Sequence, residues 1–258
     1  MTFARYVAIG DSSTEGLDDP DGRGGYRGWA NRLAEHVTRA QGSLQYANLG
    51  VRGLRTRQIL ERQLDAALAM RPDLVTVFSG TNDVVQRGFD ADAVARAMER
   101  MQRPLVDSGA RVLTFTLPDL SEIMPVARFV AVRVRALNDA LRHVAASTGA
   151  TLVDVAAHPV ACDPRLWSED RLHANSHGHE RIAAALAHAL GLPGTDEHWA
   201  TPLPPLPPPT VSERLAAELR WGRRYFLPWV WRHMRGRSSG DGRTAKQPTL
   251  CHIERRTS

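Results

Sequence analysis

Five short runs rich in Val, Leu, Ile and Phe lie along the first 155 positions: Tyr6–Ile9, Leu44–Asn48, Leu74–Phe78, Val112–Leu117 and Leu152–Val155. Each reads as a buried strand. The segments between and after them, roughly 28–41, 56–71, 90–107, 128–147 and 176–190, carry apolar residues at helical spacing among good helix formers. Strands alternating with helices of this length predict right-handed crossovers and an α/β fold with a five-stranded parallel sheet covered on both faces. Such a sheet places its ligands at the carboxyl ends of the strands, near a switch in strand order. Any site residues are therefore expected just after strands.

The pattern changes at Leu192. The stretch "GLPGTDEHWATPLPPLPPPT" is too rich in proline for helix or sheet and reads as a semi-rigid polyproline connector over 193–210. Its PxxP spacings are shared by ordinary linkers. Beyond it, Thr210 and Glu213 fit a capping box. Val211, Leu215, Leu219, Phe226, Val230 and Met234 form one apolar stripe, with arginines on the other faces, through residue 236. Pro228 is expected to kink that helix or to start a second one. Residues 237–258 read as disordered. The chain thus divides into a body over 1–192, a linker, an amphipathic extension and a tail.

Charge follows the same division. The formal net charge is +5, but residues 211–258 hold eleven Lys and Arg against four Asp and Glu, and residues 1–210 are net −2. The basicity says little about what the body does. The extension has three competing readings: packed back on the body, laid on an anionic membrane, or bound to nucleic acid by charge alone, without any recognisable reading motif. Two distant cysteines, Cys162 and Cys251, make no disulfide framework. No secretory leader pattern and no run of 18 apolar residues is present, so the expected location is cytoplasmic, with membrane association through the extension left open.

The strand ends carry the chemistry. The first strand runs into Gly10-Asp11-Ser12-Ser13, the second into "NLGVRG" and the third into "SGTND"; after the fifth comes "EDRLHANSHGHERIA", with Asp170 three residues before His173. A serine hydroxyl needs a base within hydrogen-bond reach to act as a nucleophile at neutral pH. His173 can be that base, and Asp170 can hold one imidazole nitrogen while the other faces the serine. Acyl transfer also needs donors aimed at the developing oxyanion. The Ser12 backbone N–H, the Gly53 N–H and the Asn82 side-chain amide are the candidates.

These blocks resemble the SGNH (GDSL-type) hydrolase superfamily, whose blocks carry Ser, Gly, Asn and His in that order. "GDSSTEG" resembles the first through Ser12, "NLGVRG" the second through Gly53, "GTND" the third through Asn82, and "DRLH" the last through Asp170 and His173. The likeness covers about residues 5–191. It implies a flavodoxin-like three-layer α/β/α fold and cofactor-free, metal-free cleavage of carboxylic esters through an acyl-enzyme on short- to medium-chain acyl groups. The implied partner is a small-molecule, glycan or lipid ester. Rival readings are a carbohydrate O-deacetylase, a lysophospholipase, or a binding module with a vestigial site.

The chain departs from the family in Ser13, which replaces the leucine of GDSL, and in Arg52, Arg55 and Arg57, which could face either the site or solvent. Some assignments have local competitors: Ser13 as nucleophile, Gly50 as the close-approach glycine, and Asn82 as a mere Asx-turn residue. Asp11 and Asp83 read as loop supports. The cluster of His173, His177 and His179 suggests a metal, but lacks the carboxylate or thiolate that zinc usually adds; His177 reads instead as a surface residue and His179 as a packing one.

Overall fold

The structure, a computed structural model, describes residues 2–234 and 239–254. All five anticipated strands are present: β1 (Arg5–Gly10), β2 (Ser43–Asn48), β3 (Leu74–Phe78), β4 (Arg111–Phe115) and β5 (Thr151–Val153). They pair in parallel in the order β5-β4-β3-β1-β2. The order reverses between β1 and β3, so the fold's crevice lies where these two strands end. Both strands are almost wholly buried, which is why they read as unbroken apolar runs.

The α-helices of the body are α1 (Ser12–Glu15), α2 (Gly28–Gln41), α3 (Thr56–Ala69), α4 (Thr81–Val84), α5 (Ala91–Asp107), α6 (Ala131–Thr148) and α7 (Ser176–Ala189). α2 and α7 pack together on one face of the sheet, and α3, α5 and α6 on the other. This is the expected three-layer α/β/α arrangement. Tyr6, Ile9, Trp29, Leu33, Ile59 and Met98 are fully buried between the layers. Two very short helices, α1 and α4, sit directly after β1 and β3 and carry the serine and asparagine blocks.

The sheet has six strands, not five. β6 (Gln247–Glu254) lies antiparallel on β2, pairing Leu44 with Ile253 and Tyr46 with Cys251. It comes from the segment expected to be disordered, which corrects that expectation for Gln247–Glu254. Its side chains are mostly exposed or half-exposed, so no apolar pattern announces it; its stability comes from satisfying the otherwise open edge of β2. Lys246 pins its start, with Nζ donating to the Arg27 carbonyl at 2.7 Å and to Asn31 Oδ1 at 2.8 Å. Residues 235–236 of the expected helix, and 237–238 and 255–258 of the expected tail, lie outside the described residues.

Of the expected connector over 193–210, residues 201–210 form no regular element, but Glu197–Ala200 make a short 3-10 helix, which corrects the expectation there. Arg165 and Arg181 fasten its approach by donating to the carbonyls of Pro204, Trp199 and Thr201. The capping box forms as expected: Thr210 N–H donates to Glu213 Oε2 at 2.8 Å, and Glu213 N–H to Thr210 Oγ1 at 3.3 Å. It opens α8 (Val211–Trp221), which passes through a π-helical turn, Gly222–Phe226, into α9 (Leu227–Met234). Where a kink or a second helix was expected at Pro228, a π turn joins the two helices. A proline ring opposes the carbonyl four residues back, here Arg224, and the wider turn just ahead of Pro228 accommodates it. No helix among the described residues is long and apolar enough to cross a membrane.

Candidate active site

Ser12 follows β1 as the first residue of α1. Asp11 caps this turn by accepting the Ser13 N–H at 3.1 Å. From the opposite face, Gln63 of α3 holds the strand end: Gly10 N–H donates to Gln63 Oε1, and Gln63 Nε2 to the Gly10 carbonyl, both at 2.9 Å. Sequence reading missed Gln63. The available signal is a polar residue on the buried line Ile59-Gln63-Ala67 of an amphipathic helix.

The two serines have different partners. Ser12 Oγ lies 2.9 Å from His173 Nε2. Ser13 Oγ instead accepts the indole N–H of buried Trp29 at 3.1 Å. The competing choice of Ser13 therefore faces a hydroxyl already engaged in the core and away from the imidazole.

His173 and Asp170 sit on a loop closed by an isolated bridge between Trp167 and Ala174. The Ser168 N–H donates to the His173 carbonyl at 2.8 Å, and Arg171 takes a left-handed φ of 62° to turn the chain. This brings His173 Nδ1 to 2.6 Å from Asp170 Oδ2. The other oxygen, Asp170 Oδ1, accepts from Ser168 Oγ (2.6 Å), Leu172 N–H (2.8 Å) and His173 N–H (2.9 Å). A carboxylate held on both oxygens can present only one face to the ring.

Burial is the largest influence on both groups, and in both it is overcome. Burial by itself lowers the His173 pKa, but its hydrogen bond to Asp170 and the charges of Asp170, Asp18 and Asp11 hold it above the ordinary histidine value of 6.5. Burial alone raises Asp170, but its bonds to His173 and Ser168 and the nearby imidazole keep it well below the usual carboxylate range. Asp11 is pushed up to about 6 by burial, against the Ser13 N–H bond and the His173 charge. Asp170 is thus the anionic partner of the imidazole, and Asp11 supports the turn.

Asn82 follows β3 on α4. Its amide is not free: Nδ2 donates to Asp11 Oδ2 at 3.1 Å and to the Leu54 carbonyl at 3.0 Å. It is more than an Asx-turn residue, because these bonds tie the first three blocks together. To serve an oxyanion it must share or exchange its Asp11 bond, and such tightening on substrate binding is ordinary for catalytic groups. Asp83 accepts the Thr56 N–H (3.0 Å) and hydroxyl (2.8 Å), a loop support as expected.

Of the two candidate glycines, Gly50 donates its N–H to Asn48 Oδ1 at 2.9 Å. A Cβ there would lie 2.6 Å from the Glu15 nitrogen, so Gly50 serves close packing against α1. Gly53 has φ 77°, a left-handed turn that glycine enters without strain, and it directly precedes the Leu54 that holds Asn82. Of the nearby arginines, Arg55 is exposed and the other two are paired elsewhere. Arg52 is paired with Glu15 and lies over the Tyr26 ring at 5.3 Å; Arg57 pairs with Glu61 on the exposed face of α3.

The three histidines do not converge. His177 is exposed at the start of α7. His179 is buried: its Nδ1 accepts the Trp29 N–H at 3.1 Å, so its Nε2 carries the proton that goes to the Leu17 carbonyl at 2.8 Å. Among the described residues, one group of ligand-type atoms does gather, from Asp18, Asp170 and His173. There His173 Nδ1 faces Asp170 and Nε2 faces Ser12, which leaves the neutral ring no lone pair for an ion.

Beside Ser12 and His173 opens a cavity of about 100 Å³, lined largely by apolar side chains including Phe78, Phe115, Leu117, Val160, Leu166 and Ile182. Phe78 stacks on Phe115 with centroids 4.0 Å apart, and Trp29 meets Phe115 edge-on. From the segment after β4, Thr116, Leu117, Pro118 and Leu120 line this cavity.

A hydrogen-bonded serine, histidine and aspartate at the carboxyl end of a three-layer α/β/α sheet are the marks of the α/β serine hydrolases as a class. Residues 8–181 match the GDSL-like lipase/acylhydrolase family, and the chain belongs to it. Similar solved structures include a lipase/acylhydrolase from Enterococcus faecalis, 23% identical with a TM-score of 0.60, covering 75% of this chain and 99% of that one. An acetylxylan esterase from Geobacillus stearothermophilus is 18% identical with a TM-score of 0.61 over 76% and 98% of the two chains. An α/β hydrolase from the metagenome of Lake Arreo, Spain, is 22% identical with a TM-score of 0.60 over 73% and 95%. At these identities the likeness is one of fold. No curated protein matches. The protein is an ester-cleaving serine hydrolase.

Proposed function

We propose that Ser12, His173 and Asp170 cleave short- to medium-chain acyl esters, acetyl esters among them, through an acyl-enzyme on Ser12. The observation that carries this reading is the unbroken line from Ser12 Oγ to His173 Nε2, and from His173 Nδ1 to Asp170. His173 takes the Ser12 proton as Oγ attacks the ester carbonyl, then gives it to the leaving alcohol. Water repeats the cycle against the acyl-enzyme. The Ser12 N–H, which as the first of a helix has no intrahelical acceptor, joins the Gly53 N–H and the Asn82 amide on the oxyanion, each such donor worth about 3–4 kcal/mol. The apolar cavity supports the acyl preference, since its size suits a short chain and its walls offer few polar partners. A glycan O-deacetylase would use the same machinery with a polar alcohol outside the cavity.

The imidazole must be neutral to accept the Ser12 proton. A pKa held above 6.5 keeps it protonated, and the enzyme idle, to a higher pH than an isolated histidine would. The acid limb of kcat/KM, measured with p-nitrophenyl acetate, is therefore expected to have its midpoint above pH 6.5. A midpoint below that value would mean that Asp170 does not govern the base.

The extension supports a second feature, contact with an anionic membrane that would favour lysophospholipid-type substrates. The α8 part of its stripe does not pack back on the body: Val211 is 85% exposed, Leu215 60% and Leu219 67%. Arg214, Arg220, Arg223 and Arg224 are exposed on the same helices, a pairing of apolar and cationic side chains that suits a lipid interface. The protein should co-sediment with phosphatidylglycerol vesicles more than with phosphatidylcholine vesicles, and Leu215→Asp with Leu219→Asp should abolish the difference. Equal recovery with both lipids would remove this feature and leave the esterase reading intact.

A further inference from the structure

Among the described residues of the extension, the most deeply buried side chain is not one of its leucines but Trp221, only 8% exposed. Its indole Nε1–H donates to the backbone carbonyl of Asp170 at 3.0 Å. The neighbouring residues of the same loop are gripped in the same way. Arg171 Nη1 donates to Glu218 Oε1 of α8 at 2.7 Å, and the Arg171 guanidinium lies 5.1 Å from the centre of the Trp221 ring. Glu169 Oε2 accepts from Tyr225 Oη at 2.7 Å and pairs with Arg224 at 3.3 Å. Three consecutive residues, Glu169 to Arg171, are thus each held by the extension. The central one is the candidate acid, and the third takes an uncommon left-handed backbone, φ 62°. The family match ends at residue 181, so the extension's half of this clasp, Glu218 to Tyr225, lies outside the part that defines the family.

We propose that Trp221 is a positioning residue for the acid–base pair, so that the C-terminal helices are part of the hydrolytic apparatus rather than an appended module. The inference rests on the reading of Ser12, Asp170 and His173 as the reacting series. Trp221 touches no reacting atom; it acts by fixing the carbonyl of Asp170, and with it the plane in which the carboxylate meets His173 Nδ1. α8 packs against the body through this corner, with Phe226 stacked on Trp221 at 5.5 Å, while Val211, Leu215 and Leu219 stay outward. A helix that needed only to be stored would bury its stripe instead.

The test uses the full chain. Trp221→Phe keeps a ring against Arg171 and Phe226 and removes only the N–H donor; Trp221→Ala removes both. Active sites are first counted by end-point titration with a fluorophosphonate, so that kcat refers to competent molecules. Trp221→Phe is expected to lower kcat about 3- to 10-fold with KM unchanged, and Trp221→Ala to lower it further. His173 faces Asp170 on its own loop, Asp18 and Asp11 on the nucleophile side, and His179 on α7. A loosened Asp170 therefore weakens the main support for its proton, and the acid limb of kcat/KM should move to lower pH in both variants. A purely structural role would lower the melting midpoint without moving that limb. Wild-type kcat and an unmoved limb in Trp221→Phe would overturn the inference. Failure of the wild-type protein to titrate at Ser12 would instead overturn the reading on which it rests.

Discussion

Ser12→Ala is expected to abolish turnover of p-nitrophenyl acetate, with kcat falling by about 10⁴- to 10⁶-fold. The loss is so large because the hydroxyl is the bond-forming atom, and what remains is only the effect of binding and oxyanion donors on direct attack by water. The fold should tolerate the change. Ser12 is nearly buried, but its hydroxyl has one partner, His173 Nε2, which can take a water molecule in its place. Melting within a few degrees of wild type would show that chemistry, not folding, was lost. Ser13→Ala is the informative control. It strands the indole N–H of buried Trp29, a loss of about 1–3 kcal/mol in stability, yet most turnover per folded molecule should remain. The reverse outcome, with Ser13→Ala inactive and Ser12→Ala active, would exchange the roles of the two residues.

Asp170→Asn is expected to lower kcat by about 10⁴-fold. The loss follows from how the carboxylate is held. Asp170 Oδ1 accepts three hydrogen bonds, from Ser168 Oγ and from the Leu172 and His173 N–H groups. An asparagine will keep its carbonyl oxygen on those three donors, which leaves its NH₂ facing His173 Nδ1. That nitrogen must then become an acceptor, the ring proton moves to Nε2, and the imidazole presents a donor to Ser12 where a base is required. The substitution thus reverses the tautomer while leaving shape and packing nearly unchanged. Steady-state kinetics at the pH optimum, with circular dichroism to confirm folding, would check it; a kcat within tenfold of wild type would mean that Asp170 does not set the tautomer.

The body of the fold was legible because parallel strands buried on both faces are forced to be apolar throughout. Leu74–Phe78 was recovered without error for that reason. β6 was not, because "QPTLCHIE" lies on a sheet edge and buries little of either face; its information lies in β2, some 200 positions away in sequence. The candidate series Ser12, Gly53, Asn82, Asp170, His173 could be proposed from the sequence because its first three members follow strands closely and each chemistry needs a particular side chain. What could not be read were the partners that choose between alternatives. The Trp29 indole separates Ser13 from Ser12, and Asn48 Oδ1 engages the N–H of Gly50. The same limit explains the extension: its amphipathic pattern was plain, but nothing in it said that Trp221, rather than the leucine stripe, would meet the body at Asp170.

A fluorophosphonate reads out Ser12 as the nucleophile, because the probe reacts only with an activated hydroxyl. Treated wild-type protein should gain the mass of one phosphonyl group per chain, peptide mapping should place it on Ser12, and the adduct should vanish in Ser12→Ala. An adduct on Ser13, or ester hydrolysis that continues with Ser12 unmodified, would contradict the account.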